Sequence, residues 1–172
     1  MVRISGFSPG LLWNLLHKKF EHFSSPLTSI TNGRKSVLQS QKMAGLFVDV
    51  LQQNRKKGRF LLHEFVVMPD HFHLIITPSP DVSLKKAIQF IKGGFSFRAK
   101  KELGFAWLIW QESFTDHRIR NVADYEHHRD YIHQNPVRRN LVKTIGEYPY
   151  SSAFPETELD PPPPALKRTL KT

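Results

Sequence analysis

Two histidines one residue apart, in His71-Phe72-His73, carry the sharpest chemical signal in the chain. They fall in a β-prone run from His71 to Thr77. Side chains alternate across a strand, so both imidazoles share one face while Phe72 points to the other. Residues two apart on a strand lie about 7 Å apart, near enough for the rings to converge on one divalent ion. Two ligands do not make a site, and two ordinary surface histidines on a sheet give the same pattern.

Tyr131 and Asn135 form a second constellation, four residues apart in the last helical stretch. Four residues advance a helix by about 400°, which leaves the two side chains within about 40° of each other and about 6 Å apart along the axis. A tyrosine hydroxyl is a weak nucleophile at its usual pKa of about 10. A cation that polarises a phosphate makes its attack easier, and Asn135 offers an amide oxygen to such a cation. Without that context Tyr131 reads as a helix residue with its ring in the core, and Asn135 equally as a helix stop before Pro136.

The third feature is basic. Lys85, Lys86, Lys92, Arg98, Lys100 and Lys101 follow one another without an acidic residue between them, and Phe90, Phe95 and Phe97 are interleaved. Cations for phosphates and rings for bases would suit a nucleic-acid strand. A solvated basic helix face whose phenylalanines are core fits the same pattern and is favoured for the rings. Arg118, Arg120, Arg138 and Arg139 are further phosphate candidates. His127, His128 and His133 read as exposed helix positions, with an extra metal role as the other reading, and His63 and Glu64 are equally ambiguous.

Composition narrows the partner. Lys and Arg number 25 against 15 Asp and Glu, a formal charge of +10, which points to a polyanion, either nucleic acid or an anionic membrane. Cysteine is absent, which excludes disulfides, thiolate zinc sites and a cysteine nucleophile. No run approaches the ~20 apolar residues of a membrane helix. Gly10 to Leu16 is short, is interrupted by Asn14, and lacks the small-residue cleavage site of a signal peptide. The expected location is cytoplasmic. HExxH, P-loop, GxSxG and GxGxxG patterns do not occur.

The elements that must position these residues follow from periodicity. Leu27 to Thr31 is a short β-prone run ending at the Asn32-Gly33 turn. Met43, Leu46, Phe47, Val50 and Leu51 mark the apolar face of a helix from Gln41 to Lys57, with Gly58 ending it. Phe60 to Met68 and His71 to Thr77 form a hairpin about Pro69-Asp70. Ser83 to Leu103 is a second helix, in which Gly93-Gly94 permits close approach of another backbone. Ala106 to Trp110, continuing through Phe114, is the expected fourth strand. Asn121 caps a last helix that should stop near Gln134, before Asn135-Pro136. The order predicts an α+β, ferredoxin-like (RRM-like) sandwich, an antiparallel sheet with helices on one side and a C-terminal helix carrying the tyrosine. Residues 1–23 read as an atypical, poorly ordered leader, 24–154 as the folded domain, and 155–172 as a Pro-rich tail whose Pro161 to Pro164 segment is exposed and extended.

Taken together, Glu64-Phe-Val-Val-Met-Pro-Asp-His-Phe-His-Leu-Ile, Phe90-Ile-Lys-Gly-Gly-Phe, Trp110-Gln-Glu-Ser-Phe-Thr-Asp-His-Arg-Ile-Arg, Asp130-Tyr-Ile-His-Gln-Asn-Pro-Val-Arg and Tyr148-Pro-Tyr-Ser-Ser resemble the REP-associated tyrosine transposases, relatives of the single-tyrosine HUH enzymes. The resemblance spans Thr28 to Phe154. It implies that His71 and His73 bind Mg²⁺ or Mn²⁺, with Asn135 as third ligand. It implies that Tyr131 attacks a DNA phosphate to leave a 5′-phosphotyrosine link and a free 3′-OH. Substrates would be single-stranded hairpins of repetitive extragenic palindromes beside a short guide sequence; the DNA-binding groups, read from the basic stretches themselves, are Lys85, Lys86, Lys92, Arg98, Arg118, Arg120 and Arg138. The acting unit would be a monomer or homodimer.

Two departures stand out. Members of the group open with an aromatic, β-rich strand where this chain has Ser24-Ser25-Pro26-Leu27-Thr28, and proline predicts a weak first strand. Arg138-Arg139-Asn140 replaces a frequent Ala-Gly, although asparagine tolerates a left-handed backbone. The first departure leaves a catalytically decayed or domesticated DNA hairpin-binding protein as the alternative. A metallohydrolase using the His pair and water is a third reading, one that leaves the Tyr131-Asn135 spacing unexplained.

Overall fold

A computed structural model describes residues 24–162. The leader 1–23 and Pro163 and Pro164 of the polyproline segment lie outside the described residues. The chain forms β1 (Ser25–Ile30), α1 (Gln41–Lys56), β2 (Phe60–Met68), β3 (His71–Pro78), α2 (Leu84–Leu103), β4 (Thr115–Asp116) and α3 (Val122–Arg138), with a 3₁₀ turn at Asn32–Arg34. The strands are antiparallel in the order β2-β3-β1-β4, the ferredoxin-like arrangement expected from the sequence.

Helices α1 and α2 cover one face of the sheet. Ser40 caps α1 and Ser83 caps α2 by accepting hydrogen bonds from Met43 N–H and Lys86 N–H. The α1 stripe Met43, Leu46, Phe47, Val50 and Leu51 is buried with Ile88, Ile91 and Phe95 of α2 and with Leu27, Phe65, Phe72 and Leu74 of the sheet. Each such side chain removed from water stabilises the fold by roughly 1.5–3 kcal/mol. A Cβ on Gly94 would stand 3.6 Å from Val50, so this glycine lies at the close approach of the two helices. Phe95 is fully buried, whereas Phe97 is 66% exposed and is not the core residue that the favoured reading of the basic stretch made it.

Helix α3 lies on the opposite face, where Tyr125 and Ile132 pack against Val66, Met68, Ile75 and Ile119. The sheet thus carries the large apolar core on one side and a small apolar patch among polar groups on the other.

Three expectations are corrected. The first strand is not weakened by its proline. The Pro26 carbonyl accepts from His117 N–H at 3.2 Å, away from β3. A residue's N–H and C=O project to the same side of a strand, so the donor that proline lacks would also have faced the outer edge. The β1–β3 ladder runs unbroken from Ser25–Ile76 to Ile30–His71.

The fourth strand is shorter and later than expected. Residues 109–119 run along the outer edge of β1, with Ile109 O, Gln111 N, His117 N and Ile119 N bonded to Asn32, Ile30, Pro26 and Ser24. Regular pairing is confined to Thr115–Asp116, with a bridge at Thr31–Trp110. Trp110 turns into the core, where Lys92 O accepts its indole N–H, while Trp107 and Leu108 stay exposed. A large ring plugged into the core pulls the segment out of strand alternation.

Helix α3 passes through Pro136 to Arg138 rather than stopping near Gln134. The missing N–H costs one bond in the last turn, where the chain closes through Arg139 N–H to Asn135 O and Leu141 N–H to Pro136 O. Asn140 follows with φ 55°, the left-handed geometry that asparagine tolerates.

Beyond α3 the chain returns along the outer edge of β2. Val67 N–H donates to Tyr150 O, Ser152 N–H to Phe65 O, and Asp160 N–H to Leu62 O. Leu62 N–H donates to the Asp160 carboxylate, which Arg55 also holds at 3.0 Å. The described part of the Pro-rich tail, residues 155–162, therefore stays on the body.

Candidate active site

His71 and His73 stand on the α3 side of β3, 6% and 8% exposed, with ring centroids 4.9 Å apart. Burial excludes the reading of two surface histidines. Each ring is fixed through Nδ1. His71 Nδ1 donates to the Asp70 carboxylate at 2.6 Å, and His73 Nδ1 is 2.7 Å from Thr28 Oγ1 on β1. The tautomer that donates from Nδ1 to Thr28 leaves a lone pair on His73 Nε2, and that atom is buried without a hydrogen-bond partner.

Electrostatics keep the pair neutral. Burial lowers the His71 pKa below its ordinary value, with Asp70 opposing. Burial, helped by the charge of His71, pushes His73 down to about 3. Burial acts to raise Asp70, but the hydrogen bond and charge of His71 outweigh it and keep Asp70 below the usual carboxylate range. Neutral imidazoles with oriented lone pairs are what a metal requires of histidine. The orphaned Nε2 is the observation that fits these residues to a cation.

Tyr131 comes from α3. Its ring meets His73 edge-on at a centroid distance of 5.1 Å and remains 42% exposed, so the core reading of this residue does not hold. The Arg138 guanidinium lies 5.8 Å from the same ring. Asn135, one turn further along α3, is buried at 5% exposure. A groove of about 340 Å³ opens here, lined by Thr28, His73, His117, His127, His128 and Tyr131.

The seat of α3 is a buried carboxylate. Glu64 on β2 is 6% exposed and accepts from Tyr125 OH at 3.1 Å, Ser152 Oγ at 2.6 Å and His133 Nε2 at 2.7 Å. Two donors come from α3 and one from the returning chain, so Glu64 ties the tyrosine helix to the sheet that holds the histidines. Burial, then the charge and hydrogen bond of Glu64, raise the Tyr125 pKa. His133 is therefore not merely exposed. A glutamate beside a histidine inside a largely apolar strand was the signal in the sequence, but its partners stand 61 to 88 positions away. His63, next to it, bonds Thr77 Oγ1 and Pro161 O, and burial lowers its pKa.

The basic candidates separate into two groups. Arg118 lies in the edge segment, Arg120 just before α3 and Arg138 in the last turn of α3, with the Arg138 guanidinium beside the Tyr131 ring that lines the groove. Lys85, Lys86, Lys92 and Arg98 belong to α2, on the other face of the sheet. Lys92 Nζ donates to Gln111 O at 2.5 Å, and burial lowers its pKa. Arg98 is engaged by Glu102 and Asp49. Phe90 lies under the Arg59 guanidinium at 3.8 Å.

Known proteins share the fold and are similar in sequence. A family model described as "Transposase IS200 like" matches residues 20–135. The REP-associated tyrosine transposase of Escherichia coli is 37% identical over 125 residues, 72% of each chain. A Haemophilus influenzae protein assigned to the same group is 32% identical over 96 residues, half of this chain and 54% of that protein. Among solved structures, a REP-associated tyrosine transposase bound to a REP hairpin superposes with a TM-score of 0.59 at 28% identity, over 88% of this chain and 82% of that one. A Deinococcus radiodurans protein provisionally named a transposase shares the fold, with a TM-score of 0.51 at 20% identity, over 81% of this chain and 98% of that one. Among the described residues no helix is long and apolar enough to cross a membrane. By family match and by relatives that agree along most of its length, the chain belongs to the IS200-like transposases, in their REP-associated tyrosine group.

Proposed function

We propose that the chain cuts and rejoins single-stranded DNA at hairpins of the repetitive extragenic palindrome type, with Tyr131 as nucleophile. The observation that carries this reading is the pairing of Tyr131, exposed in a groove, with His73, whose buried Nε2 has no partner. His71, His73 and Asn135 would hold Mg²⁺ or Mn²⁺. When bound, such a cation neutralises charge on the phosphate oxygens and so favours in-line attack.

The rest falls to the chain. Asp70 and Thr28 orient the imidazoles, and Glu64 holds α3 so that Tyr131 faces them. The Tyr131 oxygen forms a bond to phosphorus as the P–O3′ bond breaks. The phenolic proton is lost and the leaving O3′ takes one up. The covalent link conserves the phosphodiester bond energy, so a 3′-OH can reverse the step without a nucleotide cofactor. Arg118, Arg120 and Arg138 would meet phosphates beside the groove, and Lys85, Lys86 and Lys92 would meet more distant parts of the strand, while Arg98 is held by Asp49 and Glu102. The hairpin assignment draws on the relative solved with one.

A denaturing gel of the protein with labelled hairpin DNA and Mn²⁺ tests this. The unsubstituted chain should give a covalent band and Tyr131→Phe none, while both bind the hairpin. Undiminished cleavage by Tyr131→Phe would sink the assignment. Tight binding without any covalent band from the unsubstituted chain would favour a hairpin-binding protein.

A further inference from the structure

A second group of ligand-type side chains stands in the same groove, apart from the His71/His73 pair. His117 Nε2 lies 3.1 Å from Asp124 Oδ2, and His128 Nε2 lies 3.4 Å from Asp124 Oδ1. One ligand atom from each residue falls within 4.8 Å of the other two. Four ligands at about 2.0–2.1 Å around a tetrahedral ion stand about 3.3 Å from one another; the two histidines meet different oxygens of Asp124, so ligation through one oxygen asks the side chains to close up from within 4.8 Å. All three residues are partly shielded, with side chains 42%, 21% and 29% exposed in chain order.

We infer that His117, Asp124 and His128 form a second cation site, for a zinc-type divalent ion, that clamps the edge segment to the start of α3. Two imidazoles and one carboxylate suit Zn²⁺ and its neighbours in the first row better than Mg²⁺. Asp124 and His128 are four apart on α3, and Tyr131 follows three later, so all three lie along one helix face. His117 sits just after β4, where regular pairing lasts only two residues. A clamp between them would fix the groove wall beside the tyrosine. Three protein ligands leave the fourth position open to water or a phosphate oxygen. The inference does not depend on what His71 and His73 bind.

The test is zinc stoichiometry on the full chain, stripped with chelator and titrated with Zn²⁺ alone by calorimetry. His71→Gln/His73→Gln should retain one equivalent, and adding His117→Gln/His128→Gln should remove it. His127→Gln, altering a neighbour whose ring packs on His128, should leave stoichiometry unchanged. Loss of all zinc in the first variant, or its persistence in the quadruple variant, overturns the inference. Histidine ¹⁵N resonances of the unsubstituted protein give a reading independent of variant folding. Zn²⁺ should move Nε2 of His117 and His128, and shifts confined to His71 and His73 overturn it.

Discussion

Thr28 on β1 holds Nδ1 of His73 on β3 through a 2.7 Å contact between neighbouring strands. The first strand therefore reaches the proposed cation ligands through one hydroxyl. Thr28→Val keeps a β-branched side chain but removes the partner. Partners of this kind are worth about 10–100-fold in metal affinity. Mn²⁺ titration of cleavage should show a loss of that size, with Thr28→Ser restoring it. Equal Mn²⁺ dependence in Thr28→Val would show that the hydroxyl does not orient the ring.

Glu64 should matter for both stability and chemistry. Glu64→Gln places an amide among three donors at a buried position. We expect a loss of roughly 2–3 kcal/mol, or about 4–12 °C in Tm for a chain of this size. Covalent-adduct formation should slow even at temperatures where circular dichroism shows the variant folded. A folded variant reacting at the original rate would mean that α3 is seated without this carboxylate.

Stability should fall in mild acid. Burial holds the His63 pKa below 6.5, so the unfolded chain takes up its proton first as pH drops. The contribution of His63 is complete above pH 6.5 and is lost as pH falls from there toward the folded-state value. Within that window the loss is about 1.4 kcal/mol per pH unit for one such group. Thermal melts from pH 7.5 to 5 should show Tm declining, and His63→Gln should flatten the slope. His71 and His73 lean the same way, so the slope should not vanish. An identical pH profile in His63→Gln would contradict the assignment.

Arginines beside the groove should differ from those on α2. Arg120→Ala and Arg138→Ala should weaken hairpin binding across sequences and reduce the salt slope by about one each. Arg98 is matched by Asp49 and Glu102, so Arg98→Ala should change binding little. Binding isotherms at several salt concentrations read both effects. A larger effect at Arg98 would move the DNA path to the α2 face.

Much of the fold was legible because local period and burial agree. The α1 stripe, the β2–β3 hairpin and the shared face of His71 and His73 all follow from spacing alone. Three features did not. Trp110 left strand alternation because the core had room for its ring. Pro136 was carried inside α3 because its missing N–H costs a single bond, in a last turn that still closes through Arg139 and Leu141. Pro26 was harmless because of the direction in which its missing donor would point, which only the neighbouring strands determine. The Glu64 partners were out of reach for a similar reason, since Tyr125, His133 and Ser152 meet it only after the chain has crossed the sheet. The contact between Tyr131 and His73 likewise required tertiary structure; spacing alone placed Tyr131 with Asn135, and its role as nucleophile came from the family resemblance.

The sheet's two outer margins have a consequence for handling the protein. Residues 109–119 occupy the free side of β1, and the chain from Tyr150 to Asp160 occupies the free side of β2. An uncovered strand invites a strand from another molecule, the first step toward aggregation. Truncation before Tyr150 should bare Leu62, Phe65 and Val67 along β2 and favour self-association through the backbone. Residues 150–160 thus cover a strand edge, and light scattering of versions shortened before Tyr150 should show association that the full chain lacks.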